Sequence, residues 1–216
     1  MLLTQERKEI VDFSMKMLDA ELTHSSGGNI SIFNRKKQFI AITPSGIEYP
    51  KLSIQDVLII DLKGNIIEGS LNPSSETDFH IAIYLERHDV NAIVHTHSLY
   101  ATTYACLQRE IKPVHYLIGF AGKKVPVAPY ATYGTKELAH NIISSIKDFN
   151  AVLLANHGLV SVGKNILSAF NVAQEIEYVA QVSYQCENLG VPNILSDKEM
   201  SKVMKKISNY GSANSQ

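Results

Sequence analysis

Asn91-Ala92-Ile93-Val94-His95-Thr96-His97-Ser98 is the stretch on which the reading of this chain turns. Ala92, Ile93 and Val94 read as a short buried β-strand, and two histidines follow at its end, two residues apart. Side chains at i and i+2 of a strand share a face, so His95 and His97 point the same way and Thr96 the other. An isolated His-x-His is no more than two polar residues on a solvated strand. Here other donors occupy comparable positions. His157 follows a second apolar run, Ala151 to Ala155, and Glu76 opens a helix after Pro73-Ser74-Ser75. Three histidines and one carboxylate make a donor shell for zinc or a similar divalent ion.

Outward from that strand, the pattern alternates between helices and short strands. Thr4 is placed to cap a first helix to about Leu22, with Ile10, Phe13, Met17 and Leu18 as its apolar stripe. Asn29–Phe33 and Gln38–Ile42 alternate and flank a loop at 34–37, and Val57–Asp61 with Asn65–Glu68 makes a second hairpin. Ser75 and Asp78 match a capping box for a helix from Glu76 to about Arg87, whose stripe is Phe79, Ala82, Ile83 and Leu85. Ser98 is placed to cap the helix after the histidines. A short strand follows at Val125–Val127, then a helix capped by Thr135 and running to about Ile146. Ala151–Ala155 and Leu159–Val162 read as strands, followed by a long helix from Ile166 to Asn188 closed by Gly190. Ser196 and Glu199 form a capping box for a last helix. This order predicts a single domain over residues 1–216: three-layer α/β/α, with a largely antiparallel central sheet and a flexible tail at 211–216.

Composition narrows the function. With a net charge of −1 and no basic run, the 216-residue chain has no footprint for a nucleic-acid partner. No apolar run approaches the roughly 20 residues of a membrane span, and the charged start lacks a signal-peptide core. Cys106 and Cys186 stand alone, which suits a reducing cytoplasm. Of the eight histidines, His24, His80, His88, His115 and His140 are read as surface or internally satisfied residues.

Hydroxyl- and glycine-rich turns recur at Ser25-Ser-Gly-Gly-Asn29, Thr43-Pro-Ser-Gly46 and Pro73-Ser-Ser75. Such turns are ordinary singly, but Ser74 and Ser75 stand at a helix N-terminus, where the dipole favours an anion such as phosphate. None matches a P-loop or a Rossmann fingerprint, so no nucleotide cofactor is expected. A cation beside a phosphate pocket points to a small phosphorylated, oxygen-rich substrate. Its carbonyl would be polarised by the metal, and a carboxylate would exchange a proton with the neighbouring carbon.

At this point the chain resembles a known family. Gly28-Asn29, Thr43-Pro-Ser-Gly-Ile47, Pro73-Ser-Ser-Glu76, His95-Thr-His97, His115-Tyr116, Ala128-Pro-Tyr-Ala-Thr132, Asn156-His-Gly-Leu159 and Tyr210-Gly211 look like the class II aldolase/epimerase family, in family order. The resemblance implies one Zn²⁺ per chain, held by Glu76, His95, His97 and His157. It implies reversible cleavage of L-fuculose 1-phosphate to dihydroxyacetone phosphate and L-lactaldehyde. Gly28, Asn29, Ser45, Gly46, Ser74 and Ser75 would surround the phosphate. Glu76 would double as acid/base, Tyr116 would act from a neighbouring subunit of a homotetramer on the aldehyde oxygen, and Tyr210 would close the site. Family rivals are a pentulose-phosphate 4-epimerase, which resemblance sets apart by an Asp at the Glu76 position, a methylthioribulose-phosphate dehydratase and other sugar-phosphate aldolases. From another class, an adducin-head-like interaction domain should lack the metal ligands that this chain keeps.

Overall fold

Alternation of apolar and small residues along the short runs produces one mixed sheet. The computed structural model describes residues 1–209. Its helices are α1 (Thr4–Asp19), α2 (Thr77–Glu86), α3 (Leu99–Cys106), α4 (Lys136–Ile146), α5 (Ile166–Leu189) and α6 (Asp197–Ser208). Its strands are β1 (Asn29–Asn34), β2 (Phe39–Ile42), β3 (Leu58–Ile60), β4 (Ile66–Glu68), β5 (Ala92–Thr96), β6 (Val127–Ala128), β7 (Ala151–Leu154) and β8 (Gly158–Gly163). They are ordered β4-β3-β2-β1-β5-β8-β7-β6. All pairs are antiparallel except β6 with β7. The strand with the two histidines sits centrally, between β1 and β8.

Two apolar layers close on the sheet, as the three-layer expectation requires. Ile30, Ala92, Val94 and Leu159 face α1, α3 and α5, while Phe33, Ile93, Val160 and Val162 face α2 and α4. Each fully buried aliphatic side chain contributes about 1.5–3 kcal/mol, so the one-residue register that turns His95 to the α2 side is strongly held.

Several local expectations give way to tertiary partners. Thr4 lies inside the first turn and does not cap it; Leu3, in the left-handed region, is the cap residue, and the Thr4 hydroxyl donates to the Met1 carbonyl. α1 stops at Asp19 because Glu21 turns left-handed and the Leu22 N–H returns to the Met17 carbonyl, a Schellman closure. Ser75 is exposed and caps nothing; Ser74 does the work, its hydroxyl accepting from the Glu76 N–H and its carbonyl from Thr77. The Ser98 hydroxyl accepts no capping bond. Instead the two Glu177 carboxylate oxygens, from α5, each take an N–H of the α3 start, Tyr100 and Ala101, at 2.8 Å. The α2 stripe also shifts: Leu85 is 55 % exposed, while Glu76, Phe79, His80, Ile83 and Tyr84 are buried. That set falls at i, i+3, i+4, i+7 and i+8, one helical face. The strand expected at Val125–Val127 begins at Val127, with Val125 bridged to Ile111 outside it. Thr135 and Gly190 cap as their sequence positions predict, and Ser196 caps α6 by accepting from the Glu199 N–H while the Glu199 carboxylate turns to Lys202 instead of closing the expected box.

Candidate active site

His95 leaves β5 with its ring wholly buried, and its Nδ1 donates to the Leu159 carbonyl at 2.9 Å across the β5–β8 pair. That bond places the Nδ1 proton and turns the Nε2 lone pair toward the middle of the site. His97, just beyond the strand, is fixed through its backbone N–H to the Leu22 carbonyl. His157 sits on the tight β7–β8 turn, where Asn156 has φ 55°. Glu76 precedes α2 and reaches across from the other side.

The four side chains converge. Nε2 of His95 lies 3.0 Å from Nε2 of His97, 3.3 Å from Nε2 of His157 and 3.1 Å from Oε2 of Glu76. Oε1 of Glu76 is 3.5 Å from Nε2 of His157. Donors at about 2.0–2.1 Å from one tetrahedral ion stand roughly 3.3–3.4 Å apart, close to the 3.0–3.5 Å of these four pairs. Glu76 Oε1 is buried and has no hydrogen-bond partner among the described residues. A buried carboxylate oxygen left without a partner is costly, and a cation at the centre of this cluster removes that cost. The residues present therefore fit a divalent metal.

The electrostatics agree. Burial pushes the Glu76 carboxyl up, but His95, His157 and the Asn29 amide outweigh it and hold the group well below the usual carboxylate range. Burial likewise opposes charge on His95, yet the adjacent Glu76 wins and raises it. For His97, burial together with His95 and His157 brings the value down to about 3, and for His157 burial and His95 bring it down to about 4. At neutral pH Glu76 offers an ionised carboxylate, and His97 and His157 offer unprotonated imidazole nitrogens, the forms that bind metals.

Above the cluster opens a cavity of about 230 Å³ lined by Gly28, Asn29, Ser45, Gly46, Ser74 and Ser75, with Glu76, His97 and His157 at its base. All six residues expected around the phosphate thus share one concavity. The backbone is less free than its glycines suggest. Ser45 N–H is committed to the Asn72 carbonyl and Ser74 N–H to the Thr43 carbonyl, so these two serines offer the cavity hydroxyls rather than amides. Gly28 has φ +69°, and a side chain there would run into the His95 carbonyl oxygen, so the loop lies directly on the metal strand. Tyr49, which sequence reasoning passed over, pins that loop by donating to the Gly27 and Gly28 carbonyls, both at 2.9 Å.

The family model for the class II aldolase and adducin N-terminal domain matches residues 8–184. The chain belongs to this family. Its members include a 5-deoxy-D-ribulose 1-phosphate aldolase of Bacillus thuringiensis serovar kurstaki, 51 % identical over 98 % of this chain and 99 % of that one. The L-fuculose phosphate aldolase of Escherichia coli K12 is 38 % identical over 94 % of each chain. A solved L-fuculose 1-phosphate aldolase superposes with a TM-score of 0.93 at 43 % identity, covering 94 % of this chain and 96 % of the other. Class II aldolases are metal-dependent, in keeping with the histidine cluster.

Of the expected site residues of this class II aldolase-family chain, one stands apart from the cavity and one falls beyond residue 209. Tyr116 is 52 % exposed on a 3-10 turn, against His115, and is not among the cavity-lining residues. Tyr210 lies outside the described residues. Conversely, Tyr133 lines the cavity and is 66 % exposed. It stands one residue beyond the Ala128–Thr132 motif, and nothing in its local pattern marks it. No helix among the described residues is long and apolar enough to cross a membrane.

Proposed function

We propose that this protein is a divalent-metal aldolase that reversibly splits a terminally deoxygenated ketose 1-phosphate into dihydroxyacetone phosphate and a short aldehyde. The observation that carries the reading is the unpartnered Glu76 Oε1, buried among three converging histidines beneath a hydroxyl-lined cavity. The relatives favour two substrates. Cleavage of 5-deoxy-D-ribulose 1-phosphate between C3 and C4 gives dihydroxyacetone phosphate and acetaldehyde; the same cut in L-fuculose 1-phosphate gives L-lactaldehyde. The 51 % identical relative ranks the deoxypentulose first and the 38 % identical one ranks fuculose second. Both share the dihydroxyacetone phosphate half, which is what the six phosphate-cavity residues would bind.

His95, His97, His157 and Glu76 would hold the ion, with zinc, a borderline ion suited to imidazole and carboxylate donors, as the first choice. Bound there, it would polarise the C2 carbonyl and stabilise negative charge developing on that oxygen. Glu76 carries the proton at C3: it removes it from dihydroxyacetone phosphate in the condensation and returns it after cleavage. Gly28, Asn29, Ser45, Gly46, Ser74 and Ser75 anchor the phosphate, helped by the positive end of α2. Tyr116 exchanges the proton on the aldehyde oxygen. The family resemblance puts this role on a neighbouring subunit of a homotetramer, and the place of Tyr116 outside the cavity of its own chain leaves it free for that. Tyr210 is assigned to closing the site. An adducin-like interaction role is disfavoured by the intact metal set. A 4-epimerase is disfavoured by Glu76 where the resemblance expects Asp.

The test is a coupled assay for dihydroxyacetone phosphate with 5-deoxy-D-ribulose 1-phosphate, L-fuculose 1-phosphate, L-rhamnulose 1-phosphate and L-ribulose 5-phosphate. Release from a deoxyketose 1-phosphate, lost in chelator and restored by Zn²⁺, is expected. A metal-replete protein that frees no dihydroxyacetone phosphate from any of them would overturn the proposal.

A further inference from the structure

On the buried face of α2, Glu76, His80 and Tyr84 stand at i, i+4 and i+8, one above another. A continuous chain of hydrogen bonds ties them together through two residues of β1. Asn29 Nδ2 lies 2.9 Å from Glu76 Oε2, and Asn29 Oδ1 lies 2.5 Å from His80 Nε2. His80 Nδ1 lies 2.6 Å from the Ser31 hydroxyl, which lies 2.7 Å from the Tyr84 hydroxyl. All five side chains are buried, and His80 is entirely so.

The chain runs in only one direction. An ionised carboxylate accepts and never donates, so the Asn29 atom facing Glu76 is the amide nitrogen. Its carbonyl oxygen then faces His80, which must present an N–H at Nε2. A neutral imidazole with its proton on Nε2 has a bare Nδ1, which accepts from Ser31. With its single proton given to His80, the Ser31 oxygen accepts from Tyr84. Each link of the row thus joins one donor to one acceptor, and the terminal acceptor is the one Glu76 oxygen that touches His95.

We propose that His80 is a positioning residue, locked as the Nε2–H tautomer so that it fixes the Asn29 amide, pins Glu76 Oε2 and leaves Oε1, beside His157, as the oxygen with no hydrogen-bond partner among the described residues. The inference rests on Glu76 being the acid/base of the proposed aldolase only for its kinetic consequence; the hydrogen-bond direction stands without it. Were Asn29 free to rotate, either carboxylate oxygen could turn inward, and the group that carries the proton would no longer be held at the C3 position. Asn29 also lines the phosphate cavity, so the same amide links the phosphate end of the site to the metal end.

Two measurements test this on the full-length protein. Long-range ¹H–¹⁵N correlation on imidazole-labelled, metal-free protein at neutral pH reads the His80 tautomer; Nε2 protonated and Nδ1 bare is expected, and a protonated Nδ1 overturns the proposal. This readout does not depend on the substrate, so it survives or fails separately from the aldolase reading. The second compares His80→Phe, which keeps the ring and loses both nitrogens, with His80→Gln, whose amide N–H can still reach Asn29. With Zn²⁺ bound at unchanged stoichiometry, His80→Phe should lose about 10–100-fold in kcat, the usual effect of removing an orienting partner of a metal-site residue. Its KM for the ketose phosphate should hold within about twofold, and His80→Gln should recover most of the loss. Equal kcat in the two variants, or a loss confined to KM, overturns the positioning role.

Discussion

Alanine at Gly158 should damage the metal centre without touching a ligand. Gly158 opens β8 immediately after His157 and lies against the end of β5. A methyl group there would overlap the Thr96 carbonyl oxygen, stand 2.9 Å from Cδ2 of His97 and 3.4 Å from Cε1 of His95. Carbon–carbon contacts rest near 3.5–4.0 Å, so His97 must retreat by about 0.6–1 Å and the β5–β8 edge must open with it. Overpacking of this kind costs about 1–3 kcal/mol. For a chain of this size that lowers Tm by about 2–4 °C per kcal/mol. The displaced imidazole should weaken Zn²⁺ affinity by about 10–100-fold, the range seen when a ligand loses its fixed orientation. Scanning calorimetry of the metal-free protein reads the first effect and competition against a chromophoric chelator the second. Gly190→Ala is the control, since a methyl group there meets nothing within 4 Å. If Gly158→Ala matches wild type in both Tm and affinity, the close approach of the β7–β8 turn to the histidine strand is not what shapes the site.

Glu177→Ala removes both acceptors from the N-terminus of α3, the helix that begins two residues after His97. A loss of about 1–2 kcal/mol is expected from the vanished cap, measured by urea unfolding, and an unchanged midpoint and slope would show that Ser98 or water replaces it. A pH effect follows from His80, which burial brings down to about 3 against the opposing pull of Glu76. A folded-state value below the unfolded one, about 6.5, means that the unfolded chain binds the extra proton, so stability falls as pH drops through the window between them. From pH 7 to 5, His80 alone should remove about 2 kcal/mol. Unfolding of the metal-free protein at pH 7 and 5 should therefore show a steeper acid loss in wild type than in His80→Gln; parallel losses would mean that His80 is not held neutral.

The parts of the site legible in the sequence are those carried by local periodicity. Alternation placed His95 and His97 on one face, the apolar run Ala151–Ala155 led to His157, and Pro73-Ser-Ser75 led to Glu76 at a helix start. Thr135, Ser196 and Gly190 cap their helices because each interaction closes within a turn of chain. Thr4, Ser75 and Ser98 carry the same local signals and failed as caps. Leu3, Ser74 and Glu177 took those duties, and Glu177 acts across 77 residues. Sequence spacing also left His80 among ordinary histidines, because periodicity tells which residues share a face but not which face is buried. Only the sheet order, with β1 beside β5 and α2 laid across them, brought Asn29 to Glu76 over 47 residues and His95 to His157 over 62. Residue types and their spacing determined which side chains this protein has available for metal, phosphate and proton. The tertiary structure decided which of them meet, because contacts between distant segments follow from how whole layers pack, and that packing is set by the apolar faces of all the elements together.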